Sequence, residues 1–197
     1  MNSIKALLVD GDGIVLRPRN KYFSDRLREN GYQFPKESEK RFFKEVYPDI
    51  RLGKKDLKTG VAKFLPDWKW DKSVDELLEF WFSYENEIDQ EVIDVLKNIR
   101  QEGIKVYLAS DHSKYRRNDL WEVVGLKKFF DGHFFSCDLG YTKEDPEFYE
   151  KVLEKLKLKP QEVAFFDDEE ENVETAANSG LKASLYTSLQ QLIDITN

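Results

Sequence analysis

Seven polar residues stand where short apolar runs end, and their types define a chemistry. The run at 4–9 leads into Asp10-Gly11-Asp12-Gly13, the run at 105–109 into Ser110-Asp111, and the run at 163–166 into Asp167-Asp168. Lys143 follows the run at 133–136, within Gly140-Tyr-Thr-Lys-Glu-Asp-Pro146. In an open parallel sheet ligands bind outside the carboxyl ends of the strands, so these side chains are expected to converge. Several carboxylates in one place repel unless a cation neutralises them. Oxygen donors select Mg²⁺, which keeps waters and takes one or two carboxylates plus phosphate oxygens. Histidine and cysteine are missing from the set, which disfavours zinc. A cation there lets an anionic nucleophile approach an anionic phosphoryl group.

Each segment has a plainer reading by itself. Asp-Gly-Asp-Gly suits a turn, or a fragment of a calcium loop whose full spacing and terminal Glu are missing. Lys143 alone reads as a surface lysine, Ser110 as a strand-end hydroxyl, and Asp167-Asp168 as a helix N-cap. Ser110-Asp111-His112 invites a hydrolase triad, but adjacent strand residues point to opposite faces and no Gly-x-Ser-x-Gly elbow surrounds Ser110. Cys137 reads as a buried structural thiol. Arg116 and Arg117 read as a solvated helix face. Only the joint occurrence, in order, favours chemistry.

Positioning these residues requires strands at 4–9, 105–109, 133–136, 163–166 and 182–186. Helical patterns lie between them at 91–102, 114–124, 147–156 and 171–178. The alternation predicts an α/β fold, a Rossmann-like doubly wound parallel sheet. Residues 18–88 break the rhythm with four short helices, at 23–30, 37–46, 56–64 and 74–84, rich in aromatic residues suited to packing. The expected organisation is a core of 1–17 and 89–197 with an inserted helical cap of 18–88. Arg17, Arg19, Arg51, Lys54 and Lys55 are the cap-side cations best placed to meet an anionic leaving group.

The 197 residues suffice for one core domain with an appendage, and 40% hydrophobic with 14% aromatic residues is a globular composition. The net charge of −7 opposes capture of nucleic acid. It is uneven: residues 15–88 hold 16 basic and 14 acidic side chains, and the remainder is acidic. The single cysteine rules out an internal disulfide and, with no signal-like or membrane-spanning run, makes the cytoplasm the expected compartment. A monomer or homodimer is expected.

The ordered set resembles the haloacid dehalogenase superfamily. Asp10-Gly-Asp12-Gly is similar to its first motif, Ser110 after Val-Tyr-Leu-Ala to its second, and Lys143 with Gly140, Asp145, Pro146 and Tyr149 to its third. Phe-Phe-Asp167-Asp168, then Asn172-Val173 and Ala-Ala before Gly180-Leu181, resembles the fourth. The segment Phe134–Gly140 with Lys143 and 149–153 resembles the branch of glucose-1-phosphate phosphatases and epoxide hydrolase phosphatase domains. The resemblance implies a Mg²⁺-dependent phosphatase acting on a small phosphorylated metabolite through an aspartyl phosphate. Asp10 would be the nucleophile and Asp12 the general acid and base. Ser110 and Lys143 would serve the phosphoryl group, with Asp111 beside it. Asp10, Asp168 and the Asp12 carbonyl would hold the metal, with Asp167 on a metal-bound water. A phosphomutase and a catalytically quiet binding protein are alternatives, whereas a dehalogenase has no need of Asp12. Three features depart from the pattern: Asp111 where Asn is common, Glu144 in place of proline, and an acidic run at Glu169–171.

Overall fold

Apolar runs buried on both faces belong to parallel strands covered by helices, and that is how these segments fold in the computed structural model, which describes residues 4–17 and 21–196. Strands β1 (Ala6–Asp10), β2 (Lys105–Ser110), β3 (Gly132–Phe135), β4 (Val163–Asp167) and β5 (Lys182–Leu185) form one parallel sheet in the order β3-β2-β1-β4-β5. Every residue of β1 and β4 is buried. Successive side chains alternate between layers: Leu7 and Val9 pack on one face, Ala6 and Leu8 on the other. The expected doubly wound α/β fold is the observed one. Winding changes side between β1 and β4, where such sheets open a crevice. The register pairs Asp10 with Ala109 and Val9 with Phe166, so Asp10, Ser110 and Asp167 end side by side.

Between β1 and residue 88 lie α1 (Phe23–Glu29), α2 (Lys36–Glu45), α3 (Tyr47–Arg51), α4 (Leu57–Ala62) and α5 (Val74–Tyr84). Among the described residues that makes five helices where the sequence predicts four. The extra one, α3, carries Pro48 in its first turn. Proline reads as a turn residue but suits a helix start, where its missing N–H has no intrahelical role. The aromatic side chains make this unit's own core: Phe23 stacks on Trp81 at 4.4 Å, and Phe34 and Phe42 lie 4.5 and 5.2 Å from Trp68. Burying each such ring contributes about 1.5–3 kcal/mol. The chain leaves and re-enters the sheet domain through paired segments: Arg17 N–H donates to Glu87 O and Asp89 N–H to Val15 O, at 2.8 and 2.9 Å. Arg19 and residue 18 lie outside the described residues.

The sheet domain continues with α6 (Gln90–Gln101), α7 (Lys114–Asn118), α8 (Ser136–Leu139), α9 (Pro146–Leu156), α10 (Glu170–Asn178) and α11 (Leu189–Ile193). The predicted helix at 114–124 is corrected, because α7 gives way to a π-helical turn at Asp119–Val123. Arg116 is not on a solvated face. It is 2% exposed and donates to Phe82 O (3.3 Å), Glu85 O (2.8 Å) and Asp119 Oδ2 (2.8 Å), which fastens the end of α5 to the sheet domain. Arg117 pairs with Asp138. The predicted strand at 133–136 loses Ser136 to α8, and Ser136 Oγ donates to Arg51 O at 2.7 Å. Among the described residues no helix is long and apolar enough to cross a membrane.

Candidate active site

At the carboxyl edge of β1, β2 and β4 the backbone delivers three of the expected side chains directly, Asp10, Ser110 and Asp167. Asp10 and Ser110 are 4% and 2% exposed, and Asp167 and Lys143 are equally enclosed. Lys143 arrives from the loop before α9. That loop is braced by Asp145, whose carboxylate accepts from both the N–H and the hydroxyl of Thr142, at 2.8 and 2.9 Å. The ammonium of Lys143 lies 2.6 Å from Asp10 Oδ1 and 2.7 Å from Asp167 Oδ2. Gly11 N–H donates to the same Asp10 oxygen at 2.7 Å. Two donors on one oxygen fix the rotation of the Asp10 carboxylate before any ligand arrives.

Asp10, Asp167 and Asp168 bring ligand oxygens within 4.8 Å of one another. Asp168 lies on the exposed side of this trio and packs over Gly13, whose φ of +80° and missing side chain let it approach. A Cβ there would stand 2.0 Å from Asp168 Oδ2. Three carboxylates facing one ammonium leave the cluster short of positive charge, and the titration tendencies follow. Burial holds Asp10 well above the usual carboxylate range, with Lys143 opposing and Asp167 reinforcing. Burial and then Asp167 also raise Asp168. Burial opposes the Lys143 charge, but Asp10, Asp167 and Asp111 outweigh it and hold the ammonium well above its ordinary value. All-oxygen donors with a deficit of positive charge fit a hard divalent cation.

Asp167 and Asp111 also have partners within the protein. Both oxygens of Asp167 are engaged by protein, Oδ2 by Lys143 and Oδ1 by Glu169 N–H (2.9 Å) and Asn172 Nδ2 (3.2 Å). Asp111 accepts from Lys143 N–H with both oxygens, at 3.3 and 3.1 Å, and burial raises its pKa. It therefore stabilises the Lys143 loop besides lining the site.

Asp10, Asp12, Ser110, Asp111, Lys143, Asp168, Glu169 and Arg51 line a cavity of about 210 Å³. Larger clefts of about 360 and 390 Å³ open at the amino ends of the strands around Gly103–Lys105, far from this chemistry. Of the cap-side cations, Arg51 reaches the cavity and lies 3.6 Å from Glu144. Arg17 instead pairs with Glu87 and Asp89, and Lys55 with Asp49. Lys54 lines a neighbouring cleft of about 180 Å³ with Lys55 and Lys114. Cys137 is buried, with its thiol pushed up to about 12 by burial, as a structural thiol should be.

Sequence reasoning missed His112, whose Nε2 approaches Asp12 Oδ2 to 3.0 Å. Strand alternation set it aside, yet β2 ends at Ser110 and the rule stops there.

The chain matches the model of the haloacid dehalogenase-like hydrolases over residues 4–180. It is 26% identical over 186 residues to a phosphorylated carbohydrates phosphatase of Thermotoga maritima, covering 91% of this chain and 83% of that one. It is 36% identical over 75 residues to bifunctional epoxide hydrolase 2 of Rattus norvegicus, covering 36% of this chain and only 14% of that enzyme. Its fold is similar to the HAD family enzyme bt-2542 of Bacteroides thetaiotaomicron, solved with magnesium and inorganic phosphate. The TM-score is 0.80 at 20% identity, covering 93% of this chain and 94% of that one. The family match runs from β1 through α10 and takes in each clustered side chain, so the chain belongs to the haloacid dehalogenase-like hydrolases.

Proposed function

We propose that the chain hydrolyses phosphate monoesters of small phosphorylated metabolites, phosphorylated carbohydrates foremost, with Asp10 as nucleophile. The observation that carries this reading is the buried Asp10 carboxylate, held at 2.6 Å by Lys143 beside Asp167 and Asp168 on the wall of a small polar cavity. The name of the Thermotoga relative supports carbohydrate phosphates, and the cavity volume suits a small leaving group.

Asp10 attacks phosphorus and forms an aspartyl phosphate, which divides one hard displacement into two easier ones. Asp12 delivers a proton to the leaving oxygen and then takes one from the attacking water. Ser110 donates to a phosphoryl oxygen, and Lys143 neutralises charge between Asp10 and the phosphoryl group. Asp167 holds the Lys143 ammonium in place, and Asp111 holds its backbone. Asp10, Asp168 and the Asp12 carbonyl would bind Mg²⁺. When bound, the metal draws charge from the phosphoryl oxygens and shields the anionic nucleophile from the anionic substrate. The single cysteine leads us to place the protein in a reducing, cytoplasmic setting.

The test compares Asp10→Asn with Asp12→Asn on an aryl phosphate with Mg²⁺. Asp10→Asn should abolish turnover and binding of beryllium trifluoride. Asp12→Asn should slow both half-reactions, and a very good leaving group should rescue the first and let the aspartyl phosphate accumulate. Wild-type turnover by Asp10→Asn, in a preparation free of other phosphatases, would overturn the assignment. Stoichiometric release of inorganic phosphate separates a phosphatase from a phosphomutase, and no turnover on any phosphorylated metabolite would leave a binding protein.

A further inference from the structure

His112 takes no part in the chemistry assigned above, yet it stands against Asp12. Its side chain is 12% exposed, and Nε2 stands 3.0 Å from Asp12 Oδ2. That nitrogen is buried and makes no hydrogen bond, so the approach is close but off the donor axis. Among the described residues no hydrogen bond joins His112 to Ser110. A buried imidazole nitrogen without a partner is costly to maintain, and catalytic hydrogen bonds are often misaligned until a ligand binds. The Asp12 side chain is 37% exposed.

We propose that His112 is a positioning residue for Asp12, its Nε2–H engaging Oδ2 so that Oδ1 bears the transferable proton and faces the leaving oxygen. The inference rests on Asp12 being the acid and base of the proposed phosphatase. A carboxylic acid has one protonated and one acceptor oxygen, and an N–H donor selects the acceptor.

The proton then follows one path. As the bond from phosphorus to the leaving oxygen breaks, its electron pair stays on that oxygen, which takes the proton from Oδ1. In the second half-reaction a water oxygen attacks the phosphorus of the Asp10 phosphate and releases the Asp10 oxygen with its electron pair. The water's proton passes to Oδ1 and restores the acid. His112 neither gains nor loses a proton.

The experiment uses the full chain with Mg²⁺ and two substrates, an alkyl phosphate and 2,4-dinitrophenyl phosphate. His112→Leu should lower kcat on the alkyl ester about 10- to 100-fold, a fraction of what general acid catalysis supplies, with KM held within about twofold. Because dinitrophenolate needs no proton, its pre-steady-state release should stay within about twofold of wild type. His112→Gln, whose amide keeps a donor near the Nε2 position, should recover most of the loss. The proposal is overturned by equal loss on both substrates in the burst phase, by a change confined to KM, or by His112→Gln failing as badly as His112→Leu while thermally as stable as wild type. Failure of the phosphatase reading looks different: the wild type itself would then turn over neither ester.

Discussion

The Lys143 ammonium stands 2.7 Å from Asp167 Oδ2, and Asp167 is wholly buried at the end of β4. The pair ties the loop before α9 to the sheet and aims the lysine at Asp10. Breaking a buried pair by removing one partner leaves the other charge uncompensated, at a cost of about 3–5 kcal/mol. Lys143→Met should therefore lower stability by an amount of that order in denaturant titrations. It should also lower kcat by about 100- to 1,000-fold, the scale of losing one preorganised charge-stabilising donor. An unchanged unfolding midpoint would show that the carboxylates find other compensation.

Metal should stabilise the fold as well as support turnover. A cation that binds the native carboxylates and not the unfolded chain adds about 2.7 kcal/mol at a hundred times its Kd. Mg²⁺ should raise the unfolding midpoint, and exhaustive chelation should lower it and abolish aryl phosphate hydrolysis. Ca²⁺ should raise the midpoint but support turnover poorly, since its larger, flexible shell relaxes in-line geometry.

Asp111→Asn keeps a carbonyl oxygen to accept from Lys143 N–H and removes a carboxylate from the cavity wall. Its kcat/KM on an aryl phosphate should equal or exceed that of wild type. Asp111→Ala loses the acceptor too and should fall below both. A large loss in Asp111→Asn with the fold intact would give Asp111 a catalytic task of its own.

Gly53 approaches α8 closely, with φ at +70° and a would-be Cβ 2.4 Å from Cys137 O. Gly53→Ala should cost about 1–3 kcal/mol, as overpacking does. Because Gly53 follows closely on Arg51, which lines the cavity, KM should rise more than kcat falls.

His133 on β3 lies edge-on to Trp121 at 4.5 Å, and burial lowers its pKa below the ordinary 6.5. The unfolded chain then binds the proton first. The His133 contribution to stability is thus complete above about 6.5 and is lost as pH falls through the depressed folded value. His133→Phe should flatten the decline in stability between neutral and mildly acidic pH, read from unfolding midpoints across that range.

The sheet and the four segments of the site were legible because they are local patterns: an apolar run, then a polar residue at its end. Periodicity located β1, β2 and β4 within a residue or two, and strand-end logic indicated where Asp10, Ser110 and Asp167 would meet. What escaped depends on partners distant in sequence. Arg116 is buried because carbonyls of Phe82 and Glu85 converge on it, and no local pattern marks an arginine for such a task. His112 reaches Asp12 because β1 and β2 are neighbours, a relation that exists only in the assembled sheet. The short helices α3, α8 and α11 carry too few turns for a period to show.

The segments at 15–17 and 87–89 run side by side, Val15 bonded to Asp89 and Arg17 to Glu87. An insertion whose ends already touch takes no slack from its host, because a span of any length closes onto the same two points. Lengthening such an excursion costs only about 0.6 kcal/mol per doubling. Residues between those anchors can therefore be recast, shortened or exchanged with little strain on the strands that carry Asp10 and Asp167. The strands keep their places because the excursion between them begins and ends at one point.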